Sequence, residues 1–177
     1  MTADLAELRG RDALVVPGVG AFAACMRGLR AAGGVELIRE WAELGRPLFG
    51  ICVGHQVLFD GGTEHGERAD GVGLFAGTVA PLAARRLPHM GWNTVDAPEG
   101  SRLFAGLAGE RFYFVHSYAA LTAPADALAA TARHEDATFV AAVERGAVAS
   151  TQFHPEKSGA AGARLIANWL STISDRV

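Results

Sequence analysis

Three observations on this sequence predict an α/β fold, a mixed sheet flanked by helices and carrying an antiparallel extension. Through the first third, short apolar runs rich in Val, Phe and Ala alternate with helical patterns, as parallel strands joined by crossover helices do. Beyond Asp70 the texture changes to longer alternating runs, which read as antiparallel strands. The chain closes on a helical stretch with one apolar stripe.

Ala13-Leu14-Val15-Val16 reads as the first buried strand and stops at Pro17-Gly18-Val19-Gly20. A helical stretch from Ala21 to Ala32 follows, closed by Gly33-Gly34. Ile38, Trp41 and Ala42 mark one face of a second helix, which Gly45 ends. Pro47 to Ile51 is the next strand. It runs straight into Cys52 and then into an apolar helix expected to reach Phe59 and to end at Gly61-Gly62. Val72 to Leu82, Arg86 to Asp96, Arg111 to Leu121 and Thr138 to Phe153 are the alternating runs, the last turning at Glu144-Arg145-Gly146. Residues 121 to 129, rich in Ala and Pro, read as a loop. Ser158 to Thr172 is the closing helix, with Leu165, Ile166, Trp169 and Leu170 on its stripe.

At 177 residues the chain suits one domain, residues 1–177. A net charge of −3 with evenly mixed signs argues against nucleic acid, and no apolar run is long enough to span a membrane. Met1-Thr2-Ala3-Asp4 lacks the basic and apolar regions of a secretory signal, and two cysteines make no disulfide framework, so a reducing cytoplasm is expected. His65, His89 and His134 share no ligand spacing. Neither a metal nor another cofactor is expected.

The strongest local signal is Gly50-Ile51-Cys52-Val53-Gly54, a nucleophile elbow at a strand-to-helix junction. The turn is too tight for side chains two residues either side of the nucleophile, and both positions are glycine. The start of the following helix is expected to lower the thiol pKa. Cys25, inside a helical pattern without such glycines, reads as packing. A cysteine nucleophile needs a base held by a third group, and Gln152-Phe153-His154-Pro155-Glu156 offers both. Side chains two apart in an extended segment point the same way, so Glu156 is expected to hold the His154 ring. The backbone N–H of Val53 and the Gly18-Val19-Gly20 turn are candidate oxyanion donors.

With these residues in view, the chain resembles the class I glutamine amidotransferases, and among them the glutaminase subunits of imidazole glycerol phosphate synthase. The resemblance rests on V-V-P-G-V-G-A-F (15 to 22), G-I-C-V-G-H-Q (50 to 56), P-H-M-G-W-N (88 to 93), Y-F-V-H-S-Y (113 to 118) and F-H-P-E-K-S (153 to 158). It implies a flavodoxin-like mixed sheet and glutamine hydrolysis through a glutamyl thioester on Cys52. The ammonia would pass to a (β/α)8-barrel cyclase subunit in a heterodimer serving histidine biosynthesis. By position, the resemblance implies that Gln56, Glu64, His116, Ser117 and Tyr118 contact the substrate glutamine. Trp92, Tyr113 and Lys157 would lie toward the ammonia exit and the barrel.

Two departures qualify the resemblance. Position 55 is histidine where these subunits more usually carry methionine, and G-H-Q is commoner in anthranilate and carbamoyl-phosphate synthase glutaminases, the runner-up. The family's first strand and helix are absent ahead of Thr2, and the expectation is that Met1 is a displaced start of a longer natural chain. A stand-alone cysteine hydrolase and a catalytically silent binding subunit stay open as rival readings.

Overall fold

Asp4 turns its carboxylate onto the N–H groups of Ala6 and Glu7 and so caps α1 (Leu5–Arg9). This helix opens a computed structural model that describes residue 2 and residues 4–174. Met1, on which the expectation of a displaced start rests, lies outside the described residues. Next come β1 (Leu14–Gly18), α2 (Phe22–Ala31), α3 (Gly34–Glu43), β2 (Leu48–Cys52) and the single turn α4 (Val53–Gln56). Strands β3 (Phe59–Glu64), β4 (Glu67–Asp70), β5 (Phe75–Pro81), β6 (His89–Thr94), β7 (Arg111–His116) and β8 (Tyr118–Ala120) follow. The chain ends with β9 (Leu128–His134), β10 (Ala137–Arg145), β11 (Val148–Thr151), a 3-10 turn at Pro155–Lys157 and α5 (Gly159–Ser174).

The main sheet runs β1-β2-β11-β10-β9. Its first three strands are parallel neighbours and its last three antiparallel ones, so the expected mixed character sits in one sheet. Period-two alternation sends adjacent residues to opposite faces. Leu48, Val140, Val143 and Val148 enter one core with Phe22, Met26, Leu37, Ile38 and Trp41 of α2 and α3. Phe49, Phe139 and Ala149 enter the other with Phe112, Phe114, Leu165 and Trp169. Two layers of apolar packing thereby clamp β2 and β11, the strands that lead to the candidate site.

Several sequence expectations need correction. The helix after Cys52 stops at Gln56, and Phe59–Glu64 is strand β3, paired antiparallel with β4 and parallel with β5. Gly61 and Gly62 are therefore not helix terminators. A side chain at Gly61 would meet the Ala69 carbonyl at 2.8 Å and one at Gly62 the Phe22 ring at 2.9 Å, so these glycines permit close packing. The long alternating run from Arg111 to Leu121 is interrupted at Ser117, whereas the run from Thr138 to Phe153 turns at Gly146 as expected. Residues 121–127 are loop as expected, but strand β9 begins at Leu128, two residues before the expected loop end, because Ala130 and Ala132 pack in the second core while β9 pairs with β10. On α5, Leu165 and Trp169 are buried but Leu170 is half exposed.

Candidate active site

The elbow forms where β2 ends beside β1. Cys52 takes φ 56° and ψ −113°, a region that a non-glycine residue occupies only when its surroundings hold it there, at a cost of about 1–3 kcal/mol. What holds it is close backbone contact. A side chain at Gly50 would lie 2.7 Å from the Gly54 carbonyl, and one at Gly18 2.6 Å from the Gly54 nitrogen. At Gly54 itself it would lie 1.8 Å from the Val16 carbonyl. The glycine spacing read from the sequence thus corresponds to a three-way backbone contact among β1, β2 and α4.

Cys52 lines a cavity of about 560 Å³ with Val19, Gly20, Val53, Gln56, Glu64, His116, Ser117, Tyr118, His154 and Lys157. Gly18 does not reach it; it lines a smaller neighbouring cavity of about 390 Å³, with Cys25. Trp92 and Tyr113 are not on the cavity wall either. They pack edge-to-face at 6.1 Å beside the 3-10 turn, Trp92 about half exposed.

Burial pushes the Cys52 thiol up to about 11, with only lesser help for the thiolate from the Val53 N–H and from Lys157. This reverses the sequence expectation. The helix start was expected to lower the thiol, but α4 is a single turn and the sulfur is nearly enclosed, so desolvation wins. At neutral pH the resting side chain is a thiol, and a base must take its proton.

His154 is the base the geometry offers. It is buried, and its Nδ1 lies 2.7 Å from Glu156 Oε1. The contact does not arise from an extended segment, as the sequence suggested. His154 is extended, but Pro155 starts a 3-10 turn that brings Glu156 back against the ring. A carboxylate accepts, so Nδ1 is the donor, and in the neutral ring the lone pair is on Nε2. Three further bonds fix the backbone here. The His154 N–H donates to the Tyr113 carbonyl at 2.9 Å, and the Ser158 hydroxyl donates to the His154 carbonyl at 2.7 Å while accepting from the Tyr113 N–H at 3.0 Å.

Glu64 arrives on the β3–β4 hairpin, whose central residues His65 and Gly66 both take positive φ. One of its carboxylate oxygens accepts the Phe22 N–H at 2.6 Å, capping α2, whose own cap residue Ala21 makes no side-chain bond. Gln56 Nε2 donates to the Tyr118 carbonyl and to Gln152 Oε1, both at 2.9 Å. His116 Nδ1 also meets the Tyr118 carbonyl, at 3.0 Å, and its other ring nitrogen meets His89 Nδ1 at the same distance. Burial drives His116 down to about 3 and His89 to about 4, so both rings are neutral.

His55, the departure at position 55, turns away from the cavity. It is wholly buried, its Nδ1 lies 2.7 Å from Ser150 Oγ, and its Nε2 lacks a well-formed partner, the nearby Val140 carbonyl only weakly opposing the burial that lowers the ring to about 3. At this position histidine fills the core under the elbow.

Sequence reasoning assigned no role to His65, Pro81, Leu87 or Val115, which also line the cavity, nor to Gln152, whose Nε2 lies 3.9 Å from Cys52 Sγ. Gln152 carried one signal: it directly precedes Phe153-His154-Pro155-Glu156 at the end of β11. No helix among the described residues is long and apolar enough to cross a membrane.

Residues 2–173 match the family model described as glutamine amidotransferase class-I. The chain is 56% identical over 172 residues to a Cutibacterium acnes protein named imidazole glycerol phosphate synthase subunit HisH, covering 97% of this chain and 83% of that one. It is 54% identical over 173 residues to the Mycobacterium tuberculosis protein of the same name, covering 96% and 84%. Among solved structures, one described as a glutamine amidotransferase superposes with a TM-score of 0.74 at 22% identity, covering 98% of this chain and 85% of that one. At that identity the likeness concerns the fold.

Proposed function

The chain belongs to the class I glutamine amidotransferase family, and on that footing we propose that it is the glutaminase subunit of an imidazole glycerol phosphate synthase, with Cys52 as nucleophile. One observation carries the assignment of residues: Cys52 and His154 share a cavity, and the His154 ring is held by Glu156 through the nitrogen remote from the reaction.

In this reading Cys52 Sγ attacks the side-chain carboxamide carbon of glutamine while His154 Nε2 takes the thiol proton. The tetrahedral oxyanion is met by the Val53 N–H and by N–H groups of the Val19-Gly20 turn. His154 then hands its proton to the leaving nitrogen, the C–N bond breaks, and ammonia departs from a glutamyl thioester. Water, activated by the same imidazole, attacks the thioester and releases glutamate. Glu156 keeps the ring in the productive tautomer and stabilises the imidazolium.

Gln56, Glu64 and the His116-Ser117-Tyr118 segment would receive the amino-acid end of the substrate. Trp92, Tyr113 and Lys157 would face the partner, a (β/α)8-barrel cyclase subunit that uses the ammonia, in the cytoplasm. Glutamate release by this chain with and without the barrel subunit and its ribulosyl-phosphate ligand tests the proposal. Turnover that depends on that pair is expected; turnover indifferent to it would favour a stand-alone hydrolase.

A further inference from the structure

Behind the cavity wall, against the lining residues Cys52 and Gln56, lies a buried side chain that the mechanism above does not use. Gln152 is wholly enclosed at the end of β11, and its carboxamide lies between the nucleophile and Gln56. The chain contains only two glutamines, Gln56 and Gln152, and they are hydrogen-bonded to each other.

The direction of every bond in this network follows from one atom. The Tyr118 backbone carbonyl can only accept, so the group that Gln56 presents to it must be the NH2. The second hydrogen of that NH2 goes to Gln152, which must therefore present its oxygen to Gln56 and its own NH2 to Cys52 Sγ. The same carbonyl makes His116 Nδ1 a donor, hence its Nε2 an acceptor from His89 Nδ1–H, hence His89 Nε2 an acceptor from Asn93 Nδ2 at 3.2 Å. Reversing either carboxamide alone would set two donors or two acceptors face to face, and reversing both would put Gln56 Oε1 against the Tyr118 carbonyl.

We propose that Gln152 is a positioning residue for glutamine hydrolysis, its NH2 directing a hydrogen bond at Cys52 Sγ and its oxygen locking Gln56 with Oε1 facing the cavity. The first contact favours the thiolate over the thiol, because an N–H donor stabilises the charged form of its acceptor. The second fixes what the cavity offers the substrate: with both its hydrogens engaged, Gln56 presents an acceptor. It is therefore suited to a donor group of the substrate, its ammonium or its carboxamide NH2. The inference rests on Cys52 being the nucleophile.

Gln152→Met replaces the carboxamide by an unbranched apolar side chain of similar length. In a Cys25→Ser background, the pH profile of Cys52 alkylation by iodoacetamide is expected to shift upward, lowering the rate at neutral pH about tenfold. The KM for glutamine is expected to rise in the holoenzyme with the barrel subunit. Thr151→Val serves as the comparison: Thr151 is equally buried and loses one side-chain hydrogen bond, but does not touch the sulfur. Its alkylation profile should superimpose on that of the parent.

A second measurement needs no substitution at Gln152. In glutamine-selective 15N-labelled protein, one of only two side-chain amide pairs should move as Cys52 ionises and stop moving in Cys52→Ala. An unmoved alkylation profile in Gln152→Met, an equal shift in Thr151→Val, or two side-chain amides indifferent to Cys52 would each overturn the proposal. Failure of the underlying reading looks different: Cys52→Ala would then retain turnover.

Discussion

Gly54→Ala tests the elbow at its tightest point. The added methyl would sit 1.8 Å from the Val16 carbonyl oxygen and 2.8 Å from its carbon, against backbone that has no flexible end to swing aside. A normal contact requires β1 and α4 to part by roughly an ångström or more, and forced overpacking of this kind typically costs about 1–3 kcal/mol. The same movement displaces Cys52, two residues away at a strained φ, from the Val53 and Val19-Gly20 N–H groups. Misplacement of reacting groups by ~1 Å costs about a hundredfold in rate. Urea unfolding of the variant should therefore show a lower midpoint. Glutamate release in complex with the barrel subunit should fall by about two orders of magnitude. A variant with parental stability and activity within about twofold would refute the elbow geometry.

Other outcomes follow from the same geometry. Gly28→Ala, at an exposed position inside α2 where an added Cβ meets nothing within 4 Å, should stabilise the protein by about 0.5–1 kcal/mol in the same urea experiment. Ser158→Ala leaves the Tyr113 N–H without its acceptor and the His154 carbonyl without its hydroxyl donor. It should cost about 1–3 kcal/mol and lower kcat by loosening His154. Because burial holds the Cys52 thiol near 11, its alkylation in a Cys25→Ser background should be slow at neutral pH and accelerate about tenfold per pH unit toward pH 10, without a plateau near 7. Stability should fall on acidification. Unfolded imidazoles bind protons near pH 6.5 whereas His55 and His116 resist until about pH 3, so unfolding takes up protons between those values. The loss should be about 1.4 kcal/mol per pH unit for each ring, seen as a declining urea midpoint below pH 6.5. A midpoint flat from pH 6.5 to 4.5 would contradict it.

The residues closest to the chemistry were the most legible in the sequence, because their geometry is local. Gly50, Cys52 and Gly54 encode a turn that admits few alternatives, and His154 with Glu156 sits two positions apart around a proline. Even so, local reasoning mistook a 3-10 turn for an extended segment there. It also credited a one-turn helix with a field that burial overrides at Cys52. Strand β3 was hidden because Phe59 continues an apolar pattern compatible with either element, and only its pairing with β4 and β5 decides. Gln152 was hidden for another reason: its role depends on Gln56, Tyr118 and Cys52 arriving from three other parts of the chain. Strand β9 likewise exists through its pairing with β10, since alanine has little intrinsic preference for strands.

The claim that a glutamyl thioester forms on Cys52 is tested most directly by intact-mass and peptide analysis of the complex, quenched in acid during steady-state turnover of glutamine. The expected result is a mass increase of one glutamyl group on the peptide bearing Cys52, absent in Cys52→Ala and depleted in His154→Ala. Turnover in Cys52→Ala at the parental rate, or a glutamyl adduct on Cys25 instead, would contradict it.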